Sequence, residues 1–189
     1  MSSAKKIGLY AGTFDPVHEG HVSLIRQSLE ELGLDLIYCL PDRSPPRKQN
    51  VTDFIHREEM LKLALSDMDR VMVLRTNTDY ATFPETIDAL DIADAEVSIL
   101  MGSDAAMNLD KWRNSQQMIE RVSFIVGVRS KDDEAHVTTV FRAMGVDESR
   151  YKLITTSYVD HSSSRVRDGQ QTIHPEISPY IRKHRLYKV

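Results

Sequence analysis

The sequence predicts an α/β fold, a parallel β-sheet with helices packed on both faces. Two observations carry this. Short, continuous apolar runs recur along the 189 residues, and stretches with helical spacing lie between them. Strands covered on both faces read as unbroken apolar runs, and strand–helix alternation is the pattern of a parallel sheet.

The elements follow in order. Residues 7–11, 36–40, 71–74, 97–101, 124–128 and 153–155 read as strands. After the first, Val22, Ile25, Leu29 and Leu32 recur on one face of a helix that Gly33 stops. Residues 54–66 carry Ile55, Met60, Leu61, Leu63, Ala64 and Leu65, with Thr52 or Asp53 as N-cap. Residues 84–93, 115–121, 134–144 and 176–184 are predicted as further helices. Two stretches fit neither pattern: 41–52, a connection with three prolines, and 130–134, a polar segment expected to be a mobile loop. The length suits one domain over 1–189, with the part from about 151 as a small helical extension.

Composition narrows the function classes. Apolar residues are 41% and charged residues 28%, a globular mix, and the net charge is −4, without the basic balance of a nucleic-acid binder. Cys39 is the single cysteine, so no intrachain disulfide framework is expected. No apolar run approaches the ~18 residues of a membrane span, and the first residues lack the apolar core of a signal peptide. The expectation is a cytoplasmic protein without nucleic-acid or membrane partners. Homo-oligomerisation is left open.

Ligands of such sheets sit beyond the carboxyl ends of the strands. There the first strand runs into Gly12-Thr13-Phe14-Asp15-Pro16-Val17-His18-Glu19-Gly20-His21. Gly12 and Gly20 permit close backbone approach. A helix N-terminus offers unpaired N–H groups and partial positive charge, which suit phosphate. His18 and His21, three apart at that turn, can both donate to one anion. A metal pair is the rival reading, with Asp15 and Glu19 as the nearby carboxylates and no third ligand standing out. Near the C-terminus, Ser162-Ser163-Ser164-Arg165-Val166-Arg167 places hydroxyls and then arginines at a helix start. Hydroxyls there cap the helix or reach phosphate, and Arg167 can grip a triphosphate with two N–H groups. An ordinary N-cap with a solvated basic face is the alternative.

The first segment resembles the HxGH nucleotidyltransferase superfamily, G-[ST]-F-D-x-x-H-x-G-H. The second is similar to its other motif, [IV]-S-S-[ST]-x-[IV]-R, with His161 where Ile or Val is usual. The resemblance implies a Rossmann-like fold of the adenylyltransferase type and transfer of a nucleotidyl group from a triphosphate, with release of pyrophosphate. By the same resemblance His18, His21 and Arg167 are catalytic. The ATP site is then Gly12, Thr13, Phe14, His18, Gly20, His21, Gly102, Asp104, Ser163, Ser164 and Arg167. Mg²⁺ is expected with ATP, and no protein metal cage is expected.

The acceptor is read from the loops after the second and fourth strands. Pro41 and Pro45-Pro46-Arg47-Lys48 resemble the P-x-x-x-P-P-H-K stretch of bacterial nicotinate-nucleotide adenylyltransferases, with Arg47 replacing His. His56-Arg57 followed by Met60-Leu61 and Leu63-Ala64 looks like the same family's helix, H/F-R-x-x-M-L-x-L-A. Gly102-Ser103-Asp104 and Leu109-Asp110-Lys111-Trp112 are similar to its G-x-D and L-x-x-W. Thr82-Phe83-Pro84-Glu85-Thr86 loosely matches S-Y-T-x-D-T, and the ending Arg185-Leu186-Tyr187 alters the usual G-L-Y. The resemblance implies acceptor contacts by Lys48, Thr82, Thr86 and Trp112, with the indole packed on the pyridine ring. The expected reaction joins ATP and nicotinate mononucleotide. Pantetheine-phosphate or nicotinamide-nucleotide adenylyl transfer, and a non-catalytic nucleotide-binding module, are the alternatives.

Overall fold

The computed structural model describes residues 4–46, 48–155 and 162–188. Its elements run β1 (Lys6–Gly12), α1 (Glu19–Glu30), β2 (Leu36–Pro41), α2 (Phe54–Ala64), β3 (Val71–Val73), α3 (Glu85–Ala89), β4 (Glu96–Gly102), α4 (Ser103–Ala106), α5 (Ser115–Arg121), β5 (Ser123–Val128), α6 (Lys131–Ala143), β6 (Tyr151–Thr155), α7 (Ser163–Arg167) and α8 (Ser178–His184). Every strand pair is parallel, and the order is β3-β2-β1-β4-β5-β6. The strand order reverses between β1 and β4. In a doubly wound sheet the crevice opens at that switch point.

The two-residue period of the strands sends side chains to both faces. Ile7, Leu9, Val97, Ile99, Phe124 and Val126 meet Ile87, Met118, Ile119, Val137 and Phe141 of α3, α5 and α6. Tyr10, Ile37, Cys39, Leu100 and Ile125 meet Val22, Ile25, Leu29, Met60, Leu61 and Ile181 of α1, α2 and α8. The sheet is thus sandwiched between two apolar layers. Burying one such aliphatic side chain contributes about 1.5–3 kcal/mol. Among the described residues, no helix is long and apolar enough to cross a membrane.

Three expectations need correction. The segment 130–134 is ordered: Ser130 caps α6 by accepting the Asp133 N–H at 3.1 Å, and Asp132, Asp133 and Glu134 fill the first turn, where carboxylates complement the helix dipole. The helix expected over 84–93 stops at Ala89, and Asp91 turns the chain at φ 53°. The segment from 151 opens with β6, whose register joins Phe124 to Tyr151 and Val128 to Thr155, so the helices of the extension begin only at Ser163. Gly33, at φ 68°, ends the first helical unit as expected.

Candidate active site

A cleft of about 590 Å³ opens at the carboxyl edge of the sheet, over the ends of β1 and β4. Gly12, Thr13, Phe14, His18 and His21 line one wall, Gly102, Asp104 and Trp112 the next, and Ser163, Ser164 and Arg167 a third, with Lys48 at the rim. Gly20 lies inside the first turn of α1, and it, Thr82 and Thr86 are outside the lining. A second hollow of about 520 Å³ lies at the opposite edge, between Lys6, Glu96, Ser123 and Tyr151. It holds no histidine and none of the sequence motifs.

The first wall is built by a tight passage from strand to helix. A Cβ on Gly12 would stand 3.3 Å from the Phe14 ring, so only glycine fits without displacing that ring. Phe14 itself turns back at φ 50° and is 2% exposed. Its ring meets Tyr10 edge-on at 5.3 Å and His21 at 5.1 Å between centroids, which fixes the imidazole plane. His18 is the extended N-cap of α1, and its carbonyl accepts from the His21 and Val22 N–H groups. The His18 and His21 rings lie against each other, tilted by 34°, with centroids 3.7 Å apart.

The state of His21 follows from its contacts. The His18 backbone N–H donates to His21 Nδ1 at 3.2 Å, so Nδ1 carries a lone pair. Burial, reinforced by the Lys48 and Arg129 charges, lowers the His21 pKa from 6.5 to about 3. The ring is therefore neutral at pH 7. A neutral ring with Nδ1 accepting holds its proton on Nε2 and presents a fixed donor there.

The other walls are tied to the first. The Ser163 hydroxyl donates to the Pro16 carbonyl at 2.9 Å, and Arg167 Nη1 donates to the Asp15 carbonyl at 2.6 Å. Ser162 caps α7 by accepting the Arg165 N–H, the ordinary cap that the sequence allowed. Residues 156–161, including His161 of the second motif, and Arg47 of the acceptor loop lie outside the described residues. Lys48 is exposed, and desolvation of its ammonium beside the cleft lowers its pKa against the opposing pull of Asp42. Burial likewise raises Asp42 to about 6, in spite of Lys48 and Arg57. Trp112 is partly buried against the α3–α5 layer. The Thr86 hydroxyl donates to the Thr82 carbonyl at 2.6 Å, so it closes the turn before α3.

Two groups were not singled out from sequence. Arg129, just beyond β5, lines the cleft and pairs with Asp104 at 2.9 Å. Nothing local marks it; only the sheet order brings it beside β4. Arg57, 1% exposed, donates to the carbonyls of Thr52, Thr13, Asp42 and Arg43 at 2.8, 2.6, 2.8 and 3.2 Å. It joins the histidine loop to the proline-rich loop. Its place in a family-like helix was the available signal.

The assembled chemistry suits an anion. Imidazole, guanidinium, ammonium, hydroxyl and helix N–H donors converge, and donors fixed in advance stabilise charge without reorganising. Among the described residues, no three His, Cys, Asp or Glu side chains converge to hold a metal ion.

Comparison with known proteins is consistent with this geometry. Residues 9–169 match the cytidylyltransferase-like family model. The chain is 31% identical to nicotinate-nucleotide adenylyltransferase of Bacillus subtilis (strain 168), over 97% of this chain and 99% of the relative. Two structures of the Plasmodium falciparum nicotinic acid mononucleotide adenylyltransferase, one complexed with NaAD and one with APC, share the fold. Each has a TM-score of 0.74 at 21% identity, covering 97% of both chains. The chain belongs to the cytidylyltransferase-like family, and within it to the nicotinate-nucleotide adenylyltransferases.

Proposed function

We propose that this chain transfers the adenylyl group of ATP to nicotinate mononucleotide, forming nicotinate adenine dinucleotide and releasing pyrophosphate. The observation that carries the reading is the close His18–His21 pair at the opening of α1, lining one cleft with Arg167. The membership given above fixes the reaction class that this geometry is asked to perform.

An oxygen of the acceptor phosphate attacks the α-phosphorus of ATP. The bond from that phosphorus to the β-bridging oxygen breaks, and pyrophosphate leaves with the electron pair. The acceptor is already anionic at pH 7, so no general base is needed. What remains is alignment and neutralisation of charge on the phosphoryl oxygens. His21 supplies its Nε2–H, neutral and fixed, to that charge. His18 and the first N–H groups of α1 supply more, and Thr13 lies on the same wall. Ser163, Ser164 and Arg167 hold the β- and γ-phosphates. Asp104 takes the adenosine portion, Lys48 the acceptor phosphate, and Trp112 stacks on the electron-poor pyridine ring. Thr86 and Thr82 shape the acceptor end through their shared turn. Mg²⁺ arriving with the triphosphate would offset part of its charge, and no side chain of this chain is assigned to hold it.

Pyrophosphate release tests the reading, with nicotinate mononucleotide, nicotinamide mononucleotide and phosphopantetheine as acceptors. Release is expected with the first. His18→Ala and His21→Ala should lower kcat more than they raise KM for ATP, because a donor aimed at developing charge acts in the transition state. Trp112→Ala should raise the acceptor KM and spare that of ATP. Release with phosphopantetheine alone would overturn the acceptor, and no release with any acceptor would leave a nucleotide-binding module.

A further inference from the structure

The Asp15 carboxylate lies between two claimants. It belongs to the first phosphate segment and is 5% exposed. Arg167 Nη1, bonded to the Asp15 carbonyl at 2.6 Å, stands only 3.7 Å from Oδ2 of the same residue. On the carboxylate itself, Oδ1 accepts the Tyr187 hydroxyl at 2.9 Å, and Oδ2 accepts the Thr52 backbone N–H at 3.4 Å. The nearby Arg57 spends its N–H groups on four backbone carbonyls and none on this carboxylate. One neutral donor thus sits on each carboxylate oxygen, and Arg167 stands in ion-pair range of Oδ2 at 3.7 Å without closing to a hydrogen bond on it.

The chain end is shaped to deliver that hydroxyl. Beyond α8, Arg185 and Tyr187 both adopt positive φ, 53° and 63°. The Leu186 N–H closes back on the Ile181 carbonyl at 3.0 Å, and the Lys188 N–H on the Arg167 carbonyl at 3.3 Å. Tyr187 is thus held by its neighbour Lys188, whose backbone is tied to α7, and by its own side chain, which reaches the histidine loop. A carboxylate with an open lone pair beside a guanidinium favours a two-point ion pair. Such a pair would draw Arg167 down to Asp15 and remove N–H groups and charge from the cleft.

We propose that Tyr187 is a positioning residue of the ATP site: its hydroxyl occupies the Asp15 carboxylate and so keeps the Arg167 guanidinium turned toward the polyphosphate. The inference rests on the reading of Arg167 as a triphosphate contact. It concerns affinity for the donor nucleotide and leaves the acceptor end untouched.

Tyr187→Phe removes one oxygen and keeps the ring. Loss of a charge-assisted contact to phosphate should raise KM for ATP, and Kd for α,β-methylene-ATP, by about tenfold, with the acceptor KM changed less than about twofold. Adding Asp15→Asn to Tyr187→Phe removes the competing charge and should bring ATP affinity back to within about threefold of wild type. A purely structural tyrosine predicts the reverse, with the second substitution adding to the damage. Unchanged ATP affinity in Tyr187→Phe overturns the proposal, and so do equal losses for both substrates. Arg167→Met is measured alongside. If it leaves ATP affinity intact, the phosphate reading of Arg167 falls and this inference with it. If it weakens ATP while Tyr187→Phe does not, only this inference falls. Tyr187→Phe alone decides the matter should the double variant not fold.

Discussion

Replacing Arg57 by methionine should cost more stability than any surface substitution, because one buried guanidinium satisfies four carbonyls from three loop segments. A hydrogen bond from a charged donor contributes about 1.5–3 kcal/mol. The Thr13 carbonyl is buried and loses its partner outright. The Asp42, Arg43 and Thr52 carbonyls lie in part-buried surroundings and regain some water. A net loss of about 4 kcal/mol is therefore expected. With an unfolding entropy of about 2.1 cal/mol/K per residue over 189 residues, each kcal/mol moves Tm by about 2.5 °C. Arg57→Met should then melt about 10 °C below wild type. Arg57→Lys offers one nitrogen in place of three and should recover about half of that loss. Differential scanning calorimetry measures the shift. Initial-rate kinetics measures the rest, since loosening Thr13 and Asp42 together should raise KM for both substrates. A Tm within about 2 °C of wild type for Arg57→Met would refute the reasoning, since it would mean that water replaces the guanidinium at negligible cost.

Two further outcomes follow from the same geometry. His21 has a folded pKa near 3 against 6.5 when unfolded, so the unfolded chain binds more protons between those values, and stability falls as pH drops through that window, by about 1.4 kcal/mol per pH unit. Asp42, raised from 3.8 to about 6, acts in the opposite sense because its folded form takes up the proton first. Comparing wild type with His21→Asn cancels the Asp42 contribution: the Tm curves should converge on acidification from pH 6.5 to pH 4, and parallel curves would refute the assignment of a neutral ring. Arg185, exposed and left-handed at φ 53°, carries the penalty of a Cβ in that region, so Arg185→Gly should stabilise the chain by about 0.5–1 kcal/mol in urea titration, and a loss of stability would refute it.

The sheet was legible because its strands are covered on both faces, which makes them unbroken apolar runs with little else to be. Helix boundaries were less so. The start of α6 was hidden by a polar first turn that resembles a loop until Ser130 is recognised as its cap. The short α4 buries only Ser103 and Ala106 and leaves no periodicity to find. In the cleft, groups that sit together in sequence were visible: Gly12 to His21 form one turn, and Ser163 to Arg167 one helix start. Groups that converge only through topology were not. Arg129 joins Asp104 because β5 lies beside β4, and Tyr187 meets Asp15 from 172 residues away. Arg57 was visible as part of a motif, but its four carbonyl partners required the loops to be folded. Thr82 and Thr86 show the converse. They were picked out by a loose motif match, and the Thr86 hydroxyl is engaged by its own turn and lies outside the cleft lining.

Cys39 sits on β2 with none of its surface exposed, and burial pushes its thiol pKa up. A thiol held protonated and out of reach neither attacks nor is attacked. The thiol of the folded enzyme is thus shielded from oxidants and thiol-alkylating reagents. The same sulfur becomes a reporter once strand β2 peels away: a maleimide dye that ignores the native molecule marks every one that opens, and the marking rate reads the opening of the central sheet directly.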